Sequence, residues 1–184
     1  MRETMTKEKA SNDLGLEKKS LLFDIGRSIR YHQHRRRFFD HLHKTITFIS
    51  LVSGTATMVS VLAQFPPIWA TVAALVVSSA SMLDLVIGSP ALARQHDELA
   101  RKFITLQMKV TVGDGESINP YDIYQAERQR IELDEPPILK VLDTKCHNEM
   151  LRASGFPQDQ QIKIKWYQDL FSQILDIRSA SLHA

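Results

Sequence analysis

The stretch SVLAQFPPIWATV, Ser60–Val72, places two adjacent prolines in the middle of the most apolar part of the chain. From residue 45 to residue 83 the sequence contains no Asp, Glu, Lys, Arg or His. A transmembrane helix needs about 20 mostly apolar residues, and this run is about twice as long. Because proline removes a backbone donor and clashes with the preceding turn, a helix ends there. The pattern predicts two spans, 46–65 and 68–87, joined by a tight turn at the prolines.

The distribution of basic residues predicts the orientation of these spans. Residues 1–44 carry 11 Lys and Arg against 6 Asp and Glu, whereas residues 114–184 carry 8 against 12. No positive charge lies at the turn between the spans, and loops rich in Lys and Arg stay in the cytoplasm. We therefore expect a multi-pass membrane protein with both termini in the cytoplasm. The residues expected to contact anionic lipid headgroups are Arg35, Arg36, Arg37 and Lys44.

Small side chains recur along both predicted spans at helical spacing. Such rows allow helix backbones to approach each other and allow hydroxyl groups to bond across the contact. The candidate packing or pore-lining residues are Ser50, Ser53, Gly54 and Thr57 in the first span and Ala74 and Ser78 in the second. They either pack the hairpin internally or pack several copies around a polar path. Two spans form a thin membrane domain, so we expect a homo-oligomer in both cases.

Asp84 is the one charged residue in the second span. In a hairpin folded at the prolines it is expected opposite Ile49 and Ser50. Carboxylates inside membranes are rare and face a bundle interior or a water-filled cavity. Asp84 is therefore either an interfacial side chain that reaches water or a hydroxyl group, or part of an acidic ring at a pore mouth, which favours cations.

The flanking regions read as helical throughout. Residues 1–13 are polar and predicted to be disordered, 14–44 form a basic juxtamembrane helix, and 88–184 form a cytoplasmic helical region. Two interleaved sets recur every seven residues after the second span: Leu92, Leu99 and Leu106, and His96, Phe103 and Val110. This spacing predicts a helix that packs on the N-terminal helix. Further helices are expected near 121–133, 138–154 and 158–177. The predicted fold is an all-α membrane protein.

No recognisable catalytic, cofactor or metal pattern is present. The GDG stretch at 113–115 lacks the Lys of a phosphate loop, and Cys146 and His147 have no partner at zinc spacing. Adjacent residues on a helix point about 100° apart, which argues against a nucleophilic pair. We expect no enzyme, no cofactor and no nucleic-acid partner. His32, His34, His41 and His43 are expected on a solvated helix face.

The two spans, the short proline turn, the basic helix before them and the helices after them together resemble the SLATT families. These are two-transmembrane effector domains associated with bacterial nucleotide-signalling conflict systems. The segment ERQRIELDEPPILKVLDTKCHNEM, Glu127–Met150, is similar to a cytoplasmic motif of this group. Its charged residues either dock helices within the chain or bind an activator or another protomer. The candidates are Arg128, Arg130, Glu132, Asp134, Glu135, Asp143, His147 and Glu149.

The resemblance implies antiviral defence at the bacterial inner membrane. A partner protein or a diffusible nucleotide would report infection, and the oligomeric effector would open the membrane and kill or arrest the cell. Unlike fused members, this chain shows no sensor domain of its own. The alternative hypothesis is a membrane-anchored adaptor whose hairpin only localises a cytoplasmic helical platform.

Overall fold

Helices are the regular structure of every described part of this chain. The computed structural model describes residues 2–53, 55–113 and 120–176, without the side chains of residues 2–14, Ala56, Thr57, Ser60 and Pro120. No strand occurs in these ranges, which confirms the all-helical prediction. The elements are α1 (Arg2–Ser53), α2 (Ala56–Leu62), α3 (Pro67–Ile87), α4 (Ser89–Val112), α5 (Pro120–Glu132), α6 (Lys140–Ala153), a 3₁₀ turn (Gln158–Gln160) and α7 (Trp166–Phe171).

The first apolar segment is not one helix. After α1 ends, the Thr55 hydroxyl donates to the carbonyl of Val52 (2.9 Å) and accepts from the amide of Met58 (3.4 Å), which caps α2. Threonine competes for backbone hydrogen bonds in this way and favours helix ends. The segment 46–65, predicted as a span, therefore does not form one continuous helix.

The second apolar segment is a continuous helix. The stretch Pro67–Val112 contains an 18-residue window with mean hydropathy 2.0, of which 6% is buried. Among the described residues it is the one helix long and apolar enough to cross a membrane. Gly88 separates α3 from α4, and its φ of 67° lies in the left-handed region that favours glycine. Its amide donates to the carbonyl of Asp84 at 2.9 Å, which closes the last turn of α3.

The two prolines lie at the start of α3, where proline is well tolerated. Pro66 has extended backbone angles (φ −50°, ψ 138°), and Pro67 occupies the first position of α3, where a missing amide costs no hydrogen bond. Residues 63–66 make the turn between α2 and α3, as the sequence predicted.

The chain divides into two compact units. One comprises residues 34–96, and the other comprises residues 1–33 with 97–184. The first unit is longer at both ends than the predicted hairpin 45–87, because it includes the basic end of α1 and the start of α4. The structure also gives a helix to residues 2–13, where the composition had predicted disorder.

The core of the unit made of residues 1–33 and 97–184 is formed where α1 meets α4 and α5. Leu99, Phe103, Leu106 and Val110 of α4 are buried in one cluster with Leu21, Ile25 and Ile29 of α1 and with Tyr124 and Ile131 of α5. The seven-residue spacing had predicted this face of α4 and its partner helix. Both predictions are confirmed by the cluster.

The helices predicted for the C-terminal half are found in part. α5 and α6 lie within a few residues of their predicted positions, and α6 stops before Gly155, whose φ is 79°. The predicted helix over 158–177 was wrong. A 3₁₀ turn is followed by extended residues up to Lys165, and α7 is only six residues long. The reason is visible at Asn148, whose amide bonds both backbone groups of Ile162 (2.7 and 2.9 Å) and thereby holds that segment extended.

Candidate functional site

Asp84 of α3 contacts His43 of α1. The Asp84 Oδ2 and His43 Nδ1 atoms are 2.7 Å apart, and Asp84 is only 8% exposed. The hydroxyl of Ser89 is fully buried beside this carboxylate. The expectation that Asp84 faces Ile49 and Ser50 was wrong, because His43 supplies the polar partner that a buried carboxylate requires.

A second polar contact joins the same two helices. The Ser50 and Ser81 hydroxyl oxygens are 2.8 Å apart. The later residue of α1 contacts the earlier residue of α3, so the two helices run antiparallel across these contacts. We call His43, Ser50, Ser81, Asp84 and Ser89 the polar interface.

The other candidate packing residues lie outside this interface. Ser53 is half-buried, and Ala74 and Ser78 are exposed on α3. Gly54 and the side chain of Thr57 lie outside the described residues. Of the candidate residues, Ser50 and Asp84 therefore each contact a side chain of the opposite helix. Ala74 and Ser78 lie on the outer face.

The outer face of α3 is apolar. Its exposed large side chains are Ile68, Trp69, Val72, Leu75, Val76, Met82, Leu83, Leu85, Val86 and Ile87. Leu85 reaches 82% exposure. A helix in a soluble core would bury such side chains, whereas this helix turns Ser81 and Asp84 toward α1 and exposes large apolar side chains.

The basic end of α1 combines cations with aromatic rings. The Arg35 guanidinium lies 4.6 Å from the centre of the Phe39 ring, and Phe39 stacks on His96 at 5.9 Å. Arg36 lies 3.8 Å from Asp40, and Arg37 and Lys44 are exposed. Exposed cations beside aromatic rings are the combination expected at a lipid headgroup.

Most of the charged residues in 127–149 join helices within their own unit. Arg128 of α5 donates to Asp24 of α1 (2.9 Å) and to Glu132 (2.7 Å). Other contacts include Lys102–Asp134 (2.6 Å), His32–Glu135 (3.0 Å), Arg27–Asp143 (3.4 Å) and Arg30–Glu149 (4.0 Å). Arg130 is exposed. These contacts favour the helix-docking interpretation of this segment.

An open cleft of about 770 Å³ lies between α1 and the C-terminal end of α6. Leu22, Phe23, His147, Met150, Leu151 and Phe156 are among its lining residues. His147 contacts the Phe23 ring edge-to-face at 5.3 Å, and its burial, reinforced by Arg27, lowers its pKa. Burial also raises the pKa of the Cys146 thiol to about 12, which favours the protonated thiol at neutral pH. A cleft of this size can accept a small molecule.

Sequence reasoning missed the histidines. His32 is buried between Glu135 and the Phe103 ring, so the expectation of a solvated position was wrong for it. His43 contacts Asp84 with a side chain that is still 43% exposed. One signal was available: a lone carboxylate at the end of an apolar span requires a polar group from the neighbouring helix. Ser81, three residues before Asp84, carried no comparable signal.

Comparison with family models, curated proteins and solved structures gives no match to this chain.

Replacing Arg128 tests whether the charged segment docks helices. We expect Arg128→Met to lower the free energy of unfolding by about 1 kcal/mol, because two partly exposed ion pairs are lost. Arg130→Met, the same change at an exposed position of α5, should alter it by less than about 0.5 kcal/mol. Urea unfolding of the protein in nanodiscs, followed by circular dichroism, measures both. Equal effects would contradict the docking interpretation.

The lowered pKa of His147 predicts a pH dependence of stability. The folded protein disfavours the charged imidazole, so the unfolded state binds the proton more readily. Stability is complete above the ordinary histidine pKa and falls as the pH drops through it. Urea unfolding at about pH 7 and about pH 5 should therefore show a larger loss for the wild type than for His147→Gln. The raised pKa of Asp143 acts in the opposite direction in both proteins. Equal losses would show that His147 is not buried as described.

Proposed function

We propose that this protein is a two-span inner-membrane effector of a bacterial antiviral system, which oligomerises to permeabilise the membrane. The observation that carries the proposal is the division of α3 into two faces. Its outer face consists mostly of exposed apolar side chains, and its buried carboxylate and Ser81 face α1. This arrangement suits a helix surrounded by lipid with its polar groups satisfied by another helix.

The second crossing in this proposal consists of the end of α1 together with α2. Phe48, Leu51 and Val59 there are exposed, as lipid-facing residues would be. A break at Thr55 is compatible with a membrane span, because its hydroxyl bonds the freed backbone groups. The basic residues before this crossing and after α3 support cytoplasmic termini.

Self-association supplies the permeation path in this proposal. Ala74 and Ser78 are four residues apart on the exposed side of α3, so a second copy could approach closely there. One antiparallel hairpin encloses no channel, and several copies are required to surround one. The small polar side chains would then line the contact between copies.

The trigger in this proposal acts on the unit formed by residues 1–33 and 97–184. The resemblance to the SLATT families implies a nucleotide signal or a signalling partner protein. The cleft beside Phe23 and His147 is large enough for a diffusible ligand, and the exposed Arg130 suits contact with a protein. A trigger that binds the open assembly more tightly than the closed one would shift the population toward opening.

One observation favours the adaptor hypothesis. The Ser50–Ser81 and His43–Asp84 contacts are both made within a single chain, so neither contact requires a second copy. A hairpin of this kind would serve as an anchor for the helical unit without permeabilising the membrane.

The membrane potential of bacteria distinguishes the two functions. We expect wild-type expression, with phage infection as the trigger, to depolarise cells within minutes of infection, as reported by a voltage-sensitive dye. Ala74→Leu should prevent depolarisation, because a bulky side chain on the small-residue row keeps the copies apart. Val76→Leu, which adds one methylene at another exposed position of α3, is the matched control and should depolarise like the wild type.

An unchanged potential in infected and uninfected wild-type cells, with the protein present in the membrane, would contradict the pore. The adaptor hypothesis would then remain. Depolarisation by all three proteins would retain permeabilisation but would exclude the Ala74 row as the contact between copies.

A further inference from the structure

The segment that contains α7 exposes five large apolar side chains and buries two polar ones. Trp166 is 78% exposed, and the other exposed side chains are Leu170, Phe171, Ile174 and Leu175. In contrast, Gln168 and Ser172 are almost completely buried. A solvated helix has the reverse pattern, with its apolar side on the core. We call the five exposed apolar side chains the α7 apolar face.

Polar contacts hold this segment on α6, which explains the reversal. The Asp176 carboxylate accepts hydrogen bonds from the amides of Lys140 and Val141 (3.0 and 3.1 Å), which are orphan donors at the start of α6. Asp169 pairs with Lys145 at 2.5 Å. Because the attachment uses polar groups, the apolar side chains stay exposed among the described residues.

Two exposed lysines lie directly before the α7 apolar face, and two carboxylates lie within the segment. Lys163 and Lys165 are exposed directly before Trp166, and neither forms an ion pair within the described residues. The two acidic side chains of the segment, Asp169 and Asp176, are already engaged with α6. A tryptophan beside lysines, followed by Leu, Phe and Ile, is the composition of segments that lie in a lipid headgroup layer.

We propose that the α7 apolar face docks on an anionic lipid surface, with Trp166 at headgroup depth and Lys163 and Lys165 on the phosphates. A second copy of the same face fits less well. In a two-fold contact each lysine would meet the same positive surface, and the carboxylates of the segment are already paired. This docking goes beyond the proposed permeabilisation and rests on it only for the location of the chain at a membrane.

Quenching of Trp166 by brominated lipid tests the docking in the full-length protein. The chain contains two tryptophans, so a Trp69→Phe background leaves Trp166 as the single reporter. In nanodiscs with one copy each, brominated phosphatidylglycerol should reduce Trp166 emission about twofold, and brominated phosphatidylcholine should reduce it less. Lys163→Gln with Lys165→Gln should weaken docking about thirtyfold and lower the quenching. Lys18→Gln with Lys19→Gln removes the same charge from exposed positions of α1 and should leave the quenching unchanged.

Each other outcome overturns the docking. Quenching of Trp166 by aqueous iodide, and not by bromine, would place the face in water. Blue-shifted emission without bromine quenching that requires several copies per disc would assign the face to a second copy. A parallel protein with Trp166→Phe reports on Trp69. If Trp69 is quenched by bromine and Trp166 is not, only the docking is wrong. If neither is quenched, the membrane proposal is wrong as well.

Discussion

A lone carboxylate in an uncharged segment must find a polar partner, and the arrangement of α1 and α3 depends on that requirement. Asp84 is almost completely buried, and His43 is the side chain that reaches it. An unpaired charge in apolar surroundings would cost several kcal/mol, roughly as much as a large core truncation. The Ser50–Ser81 contact extends the same interface. With Asp84 Oδ2 and the Ser81 hydroxyl paired on the inside, α3 presents mostly apolar side chains on its outer face.

Helix α1 contributes to both units, but with different kinds of side chain. In the unit of residues 1–33 and 97–184, α1 contributes Leu21, Ile25 and Ile29 to the core, and ion pairs then position α5 and α6 on it. In the unit of residues 34–96, α1 contributes the polar side chains that α3 requires. Buried apolar side chains therefore hold the helices of the unit 1–33 and 97–184 together. Hydrogen bonds between polar side chains join α1 and α3 in the unit 34–96. The charged residues of 127–149 belong to the first, where most of them join helices.

The sequence predicted those structural features that depend on one residue type or on one spacing. The proline turn, the stop before Gly155 and the buried face of α4 each follow from one residue type or one spacing. The break at Thr55 and the loss of the predicted 158–177 helix depend on hydrogen bonds that a periodicity cannot show. Asn148, for example, holds Ile162 extended from 14 residues away. The polar interface could likewise be predicted only in part. Asp84 stood out as a lone charge, but the choice of His43 over Ile49 and Ser50 depends on how the helices pack.

Cysteine cross-linking in native membranes tests directly whether the polar interface lies inside one chain. Ser50→Cys with Ser81→Cys should form an intrachain disulfide on oxidation and then resist labelling with a maleimide polymer after denaturation. Leu51→Cys with Met82→Cys, one residue further on each helix and exposed, should remain fully labelled. The native Cys146 is buried in the folded protein and should not compete during oxidation, and after denaturation it adds one label to both variants. Cross-links found only between chains, or equal labelling of both pairs, would contradict the account.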